Sequence, residues 1–162
     1  MSANFEAKKL VVDEIKNHFE NAVSIVFADY SGVNVTEDTA LRKSAREKGI
    51  VYKVYKNRLM LRALNELGIE GINPTDLEGT TSVAIAKDEV GAAKLIGKAN
   101  DDFKKLNVKF GILNKQVISK EEVEKLSKIP ERKVLLAMLL GGLQGTISGF
   151  ARALNAVAEQ KA

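Results

Sequence analysis

Residues 130–162 read PERKVLLAMLLGGLQGTISGFARALNAVAEQKA, and the shape of the whole chain turns on what this stretch does. Leu136, Leu139, Leu143, Ile147, Phe150, Leu154 and Val157 recur every three or four residues. At about 100° per residue they fall within an arc of roughly 80°, an apolar seam along one helix. A helix over 131–160 would run about 45 Å at a rise of about 1.5 Å per residue. Residues 1–130 would form a globule with a radius of gyration of about 14 Å, roughly 36 Å across. The helix is therefore expected to outreach the body it grows from, and its seam to need a partner.

Gly141, Gly142, Gly145 and Gly149 lie inside this pattern. Each costs about 1 kcal/mol relative to alanine in a helix interior. Such a segment does not hold its shape alone in water. The same glycines admit a close backbone neighbour or act as hinges. One partner would be the core of the chain's own domain. A second would be a bilayer, since no charge falls between Lys133 and Arg152 and Gly145 with Gly149 fits the small-xxx-small spacing of membrane helices. Gln144, Thr146, Ser148 and Arg152 argue against a span. A helix that docks another protein is the better reading.

Working outward, the 162 residues are 45% apolar, enough for one domain with an appendage. There is no cysteine, which excludes disulfides and thiolate metal sites. The opening MSANFEAKK lacks the apolar core of a secretion signal, so a cytosolic protein is expected. The net charge of +4 is unevenly spread. Arg42, Lys43, Arg46, Lys48, Lys53, Lys56, Arg58 and Arg62 face Glu47 alone, a local +7, so the remainder sums to −3. A segment holding more than the whole net charge points to a polyanion contact.

Residues 3–20 read as an amphipathic helix with Phe5, Leu10, Val11, Ile15 and Phe19 near one face. Residues 23–28 (VSIVFA) form an apolar run of strand length, expected to be covered on both faces. Thr36 would cap a helix over 37–48, with Val35 as its staple and Gly49 as its stop. The strand at 50–56 alternates Ile50, Tyr52 and Val54 against Val51, Lys53 and Tyr55. Asn57 would cap a helix over 58–67 that buries Met60, Ala63, Leu64 and Leu67. A looser stretch over 71–79 precedes a strand at 80–86. Asp88 would cap a helix over 89–100, weakened by Gly91 and Gly97. The strand at 108–113 would point Val108, Phe110 and Ile112 inward, and Ser119 with Glu122 forms a capping box. Helices and strands alternate, giving an α+β (mixed α/β) body of about four strands over 1–128 and a helical tail over 129–162.

Catalytic patterns are missing. No glycine-rich loop ends in Lys-Ser or Lys-Thr, and the glycines of the tail follow no strand. His18 is the single histidine, so no nucleophile–base pair or soft-ligand metal site can be assembled. Asp101, Asp102, Glu121, Glu122 and Glu124 read as helix-end and solvated carboxylates. No enzyme, cofactor or metal is expected. The basic segment carries more: Arg42, Lys43, Arg46, Lys53, Lys56, Arg58 and Arg62 come from three consecutive elements and would gather on one side. Tyr55 would be placed to stack on a base. Folded RNA suits such a patch better than a DNA groove, since no helix-turn-helix or zinc-finger spacing occurs.

These residues carry a resemblance. The run over 29–64, DYSGVNVTEDTALRKSAREKGIVYKVYKNRLMLRAL, is similar to the family of bacterial large-subunit ribosomal protein ten. Tyr30 with Gly32, Leu41 with Arg42, and Val54, Lys56, Asn57 and Leu59 stand in the family's order. LEGTTSVAIA (77–86), KFGIL (109–113) and the tail ending ARALNAVAEQK extend the likeness over essentially the whole chain. The resemblance implies a non-catalytic protein at the base of the ribosomal stalk. Its first domain would bind large-subunit ribosomal RNA beside ribosomal protein eleven, and its tail would hold dimers of the acidic stalk protein (seven/twelve) that recruit translational GTPases. It also implies self-repression of the message through the same RNA face in some members. On this reading Lys8, Lys9 and Asn57 join Arg42, Lys43, Arg46, Lys53, Tyr55, Lys56, Arg58 and Arg62 at the RNA. Leu135, Leu136, Leu139 and Leu143 would hold one dimer and Ile147, Phe150, Leu154 and Val157 a second. Two departures stand out. Arg58 replaces the family's frequent threonine, and Thr146 replaces the proline often found before Ile147-Ser148-Gly149. The last segment occurs once, so two dimers are expected.

Overall fold

The computed structural model describes residues 3–69, 72–130 and 132–161. The side chains of Phe5, Ile147, Leu154 and Val157 lie outside that description. In chain order the elements are helix α1 (Ala3–Glu20), strand β1 (Ser24–Asp29), α2 (Val35–Glu47), β2 (Val51–Val54) and α3 (Asn57–Glu66). A 3-10 turn (Pro74–Leu77) leads to β3 (Ser82–Ala86), α4 (Gly91–Phe103), β4 (Asn107–Leu113), β5 (Gln116–Ile118), α5 (Lys120–Lys128) and α6 (Arg132–Lys161). The chain divides into two units, Met1–Ile129 and Pro130–Ala162.

The mixed α/β body holds an antiparallel sheet in the order β2-β3-β1-β4-β5. The apolar run VSIVFA is its central strand because both of its faces are covered. Val26 and Ala28 meet α2, α4 and α5 through Leu41, Ala45, Ile96 and Val123. Ile25 and Phe27 meet α1 and α3 through Val12, Ile15, Phe19, Met60 and Leu64. Phe27 stacks on Phe110 with centroids 4.4 Å apart, and Phe19 meets Phe27 edge-on at 6.3 Å.

Five strands are present among the described residues, where about four were expected. β5 has three residues, too few to show alternation, and Asn114 and Lys115 turn into it with φ of 50° and 67°. The inward set of β4 is also split. Phe27 pairs with Phe110 but Ala28 pairs with Val108, so Lys109 is an extra residue in a bulge. Phe110 and Ile112 therefore join the α1/α3 cluster while Val108 joins the other. Within α1 the buried face is Val12, Ile15 and Phe19, and Leu10 is turned to solvent.

Several helices start one or two residues away from the expected cap. Asn34, not Thr36, precedes α2, and its N–H donates to Glu37 Oε2 at 2.8 Å, leaving Val35 83% exposed and no staple. α3 begins at Asn57 itself, with Lys56 at the cap position. α4 begins at Gly91, and the carbonyl of Asp88 accepts from Ser24 Oγ at 2.6 Å instead. The Ser119–Glu122 capping box forms as read, with Ser119 N–H donating to Glu122 Oε2 at 2.8 Å.

Candidate nucleic-acid interface

The cations between Arg42 and Arg62 do not share one side of the body, because the sheet separates them. α2 packs on one face of the sheet and α3 on the other, with edge strand β2 between them in sequence. Lys43 and Arg46 stand exposed on α2, and Lys56 and Arg58 stand exposed on the turn into α3. The single basic side expected from the sequence is thus two flanks, one on each face, bordering the same edge.

The members differ more in their partners than in their exposure. Arg42 Nε donates to Asp38 Oδ2 at 2.8 Å, and its guanidinium lies 5.5 Å from the centre of the Tyr52 ring. Burial pushes the Tyr52 phenol up from its ordinary value. Lys53 Nζ donates to Glu14 of α1 and sits 5.9 Å from the Tyr55 ring centre. That hydrogen bond holds the Glu14 carboxyl below the usual range. Tyr55 is half-buried against the α1/α3 cluster, with its hydroxyl 3.4 Å from Glu14 Oε1, so its ring is not an open stacking platform. Arg62 Nε donates to Glu66 at 3.1 Å, and Glu66 also takes Lys16, whose hydrogen bond is the main cause of its lowered pKa. Lys43, Arg46, Lys56 and Arg58 make no ion pair among the described residues.

Asn57 has a different occupation from the one assigned to it. Its amide donates to the carbonyls of Leu77 and, at 2.8 Å, Gly79, tying the start of α3 to the loop before β3. Lys109, lifted out by the bulge, fastens the same loop by donating to Glu78 O at 2.7 Å and Thr81 Oγ1 at 2.8 Å. Neither link could be read from spacing, because the partners lie twenty residues or more away in sequence. Lys8, Lys9 and Arg62 do come together, along a groove of about 260 Å³ between α1 and α3 that Leu59 also lines. Among the described residues no group of histidines and carboxylates could hold a metal ion.

α6 is thirty residues long, and every described side chain on it is exposed. Leu135, Leu136, Leu139, Leu143 and Phe150 of the expected seam are 43%, 51%, 62%, 60% and 68% exposed. Ile147, Leu154 and Val157 complete that seam in sequence only. Val134, Met138 and Leu140 are exposed as well and were missed. At 100° per residue Val134 and Met138 fall roughly opposite Leu136, so the first turns are apolar all round and the seam narrows beyond Gly141. Residues 132–153 are long and apolar enough to cross a membrane, by length and composition only.

Comparison with known proteins bears on that alternative. The family model described as ribosomal protein L10 matches residues 3–104, and that of the ribosomal protein uL10 C-terminal region matches 129–162. The chain belongs to the ribosomal protein L10 family. Large ribosomal subunit protein uL10 of Staphylococcus aureus, strains JH9 and Newman, is 44% identical over 162 residues, covering 99% of this chain and 97% of each relative. As an L10-family member the chain is a ribosomal protein of the large subunit and not an enzyme. It is therefore cytoplasmic, as part of the ribosome, and the exposed helix needs another account than a bilayer. The family's C-terminal model falls on α6, while its main model takes in α1 to α4 and with them every assigned cation.

Proposed function

We propose that this chain forms the base of the ribosomal stalk. Its first unit grips large-subunit ribosomal RNA, next to ribosomal protein eleven, and α6 carries two dimers of the acidic stalk protein (seven/twelve), which recruit translational GTPases. The observation that carries the reading is α6, a thirty-residue helix whose described apolar side chains are all exposed. An apolar surface on that scale marks a binding site for protein or lipid, and a cytoplasmic ribosomal protein leaves protein as the partner. Leu135, Leu136, Leu139 and Leu143 serve one dimer; Ile147, Phe150, Leu154 and Val157 serve the next. Lys43, Arg46, Lys56 and Arg58, which make no ion pair among the described residues, support the RNA half, since each can neutralise a phosphate without first leaving a carboxylate.

Native mass spectrometry of the full chain with the acidic partner tests the scaffold half: two dimers per chain are expected, and no complex would end the reading. Salt titration of binding to a large-subunit ribosomal RNA fragment tests the other half. Replacing Arg46 and Arg58 with glutamine should lower the slope of log K against log salt by about 1 for each cation. An unchanged slope would remove them from the RNA contact.

A further inference from the structure

We infer that Glu14 decides which cations of the basic flank a polyanion can use: it withdraws Lys53 from the phosphate-binding set and leaves that flank to Lys56 and Arg58. The inference rests on the RNA-binding reading above and adds a selecting residue from outside the basic segment.

Glu14 lies exposed on α1, beside the end of β2. A single oxygen, Oε1, accepts from Lys53 Nζ and has the Tyr55 hydroxyl at 3.4 Å and His18 Nε2 at 3.6 Å. Lys53 is held from a second direction by the Tyr55 ring, 5.9 Å away. Three and five residues further on, Lys56 and Arg58 are exposed and make no ion pair among the described residues. Lys53 is half-buried where its neighbours are exposed, and unlike them it already has an anion.

That difference has a thermodynamic signature. Polyanion binding is salt-dependent because each protein cation that neutralises a phosphate releases condensed counterions. A lysine that carries its own carboxylate brings no net charge to the phosphate. It must either stay with Glu14 or expose Glu14 to the polyanion. While Glu14 is ionised, Lys53 adds nothing to the salt slope. A count of cations along the segment includes Lys53 without its anion, because the neutralising residue is thirty-nine positions away on α1.

The test is a salt titration of the full chain on two probes: a large-subunit ribosomal RNA fragment, and heparin, a polyanion without bases. Glu14→Gln should tighten binding and steepen the slope by about 0.7 to 0.9, the contribution of one freed cation. Lys53→Gln in an otherwise unchanged chain should leave the slope where it was. The double variant Glu14→Gln/Lys53→Gln should return to the parent slope, which separates a freed lysine from any general disturbance of α1. Flattening by Lys53→Gln alone, or no steepening by Glu14→Gln on heparin, would overturn the inference. Steepening on heparin with no binding of the RNA fragment at all would uphold the role of Glu14 and sink the RNA reading instead.

Discussion

At Gly97 the missing side chain is a packing requirement. A Cβ there would come within 2.6 Å of Ser127 Cβ, so α4 and α5 meet as they do only because that position is bare. Gly97→Ala is expected to cost about 1–3 kcal/mol by overpacking, read as a lower urea midpoint at unchanged slope. Ser127→Gly in the same chain should recover most of it, and no recovery would place the strain elsewhere. Read along one helix, Gly97 looked only like a weak point, since helical spacing records nothing about which neighbour comes close. Asn57 makes the same point with a polar side chain. Its two carbonyl partners make it a structural tie, so Asn57→Ala should lose about 1–3 kcal/mol of stability. A side chain whose only task is touching RNA would leave the thermal midpoint unmoved. Ser119 and Glu122, by contrast, were readable because a capping box keeps both partners within one turn.

Among the elements, β4 and its neighbours depart furthest from the expected pattern. Period-two alternation predicts one buried face only while pairing is regular, and the extra residue Lys109 hands Val108 to the opposite cluster. The hairpin that follows has both turn residues, Asn114 and Lys115, in the left-handed region. A lysine there pays about 1 kcal/mol that glycine would not. Lys115→Gly should therefore raise the denaturant midpoint, and a fall would mean that the Lys115 side chain supports the hairpin. α2 carries a pH dependence at its start. The Glu37 carboxyl is held below its ordinary value, first by the Asn34 N–H and then by Lys105, whose Nζ lies 3.0 Å away. A carboxyl with a depressed native pKa stabilises the fold above its unfolded pKa. That contribution is lost as pH falls from the ordinary glutamate range through the native value. Glu37→Gln should flatten the acid limb of stability against pH; an unaltered limb would show that the cap contributes nothing.

For the molecule as a whole, both apolar clusters draw their residues from Val12 to Val123. Truncation after Pro130 should accordingly leave a cooperative unfolding transition and near-normal RNA affinity while abolishing capture of the acidic dimers. Loss of the transition would instead make α6 part of the core. The mixed α/β class and the apolar tail were readable because hydrophobic period is a local property. Family membership was readable because short motifs kept their order over essentially the whole chain. The grouping of the cations was not, because it depends on β2 lying at the sheet edge with α2 and α3 on opposite faces, and strand order leaves no local mark. One consequence of α6 reaches into the life of the cell. On the proposed reading, a copy made in excess of its partners would display the bare leucines of α6, a surface prone to clumping and proteolysis. A chain expressed alone should then be cleared faster than one co-expressed with a protein that covers α6, read as its half-life in cells; equal half-lives would mean that the bare helix is no liability.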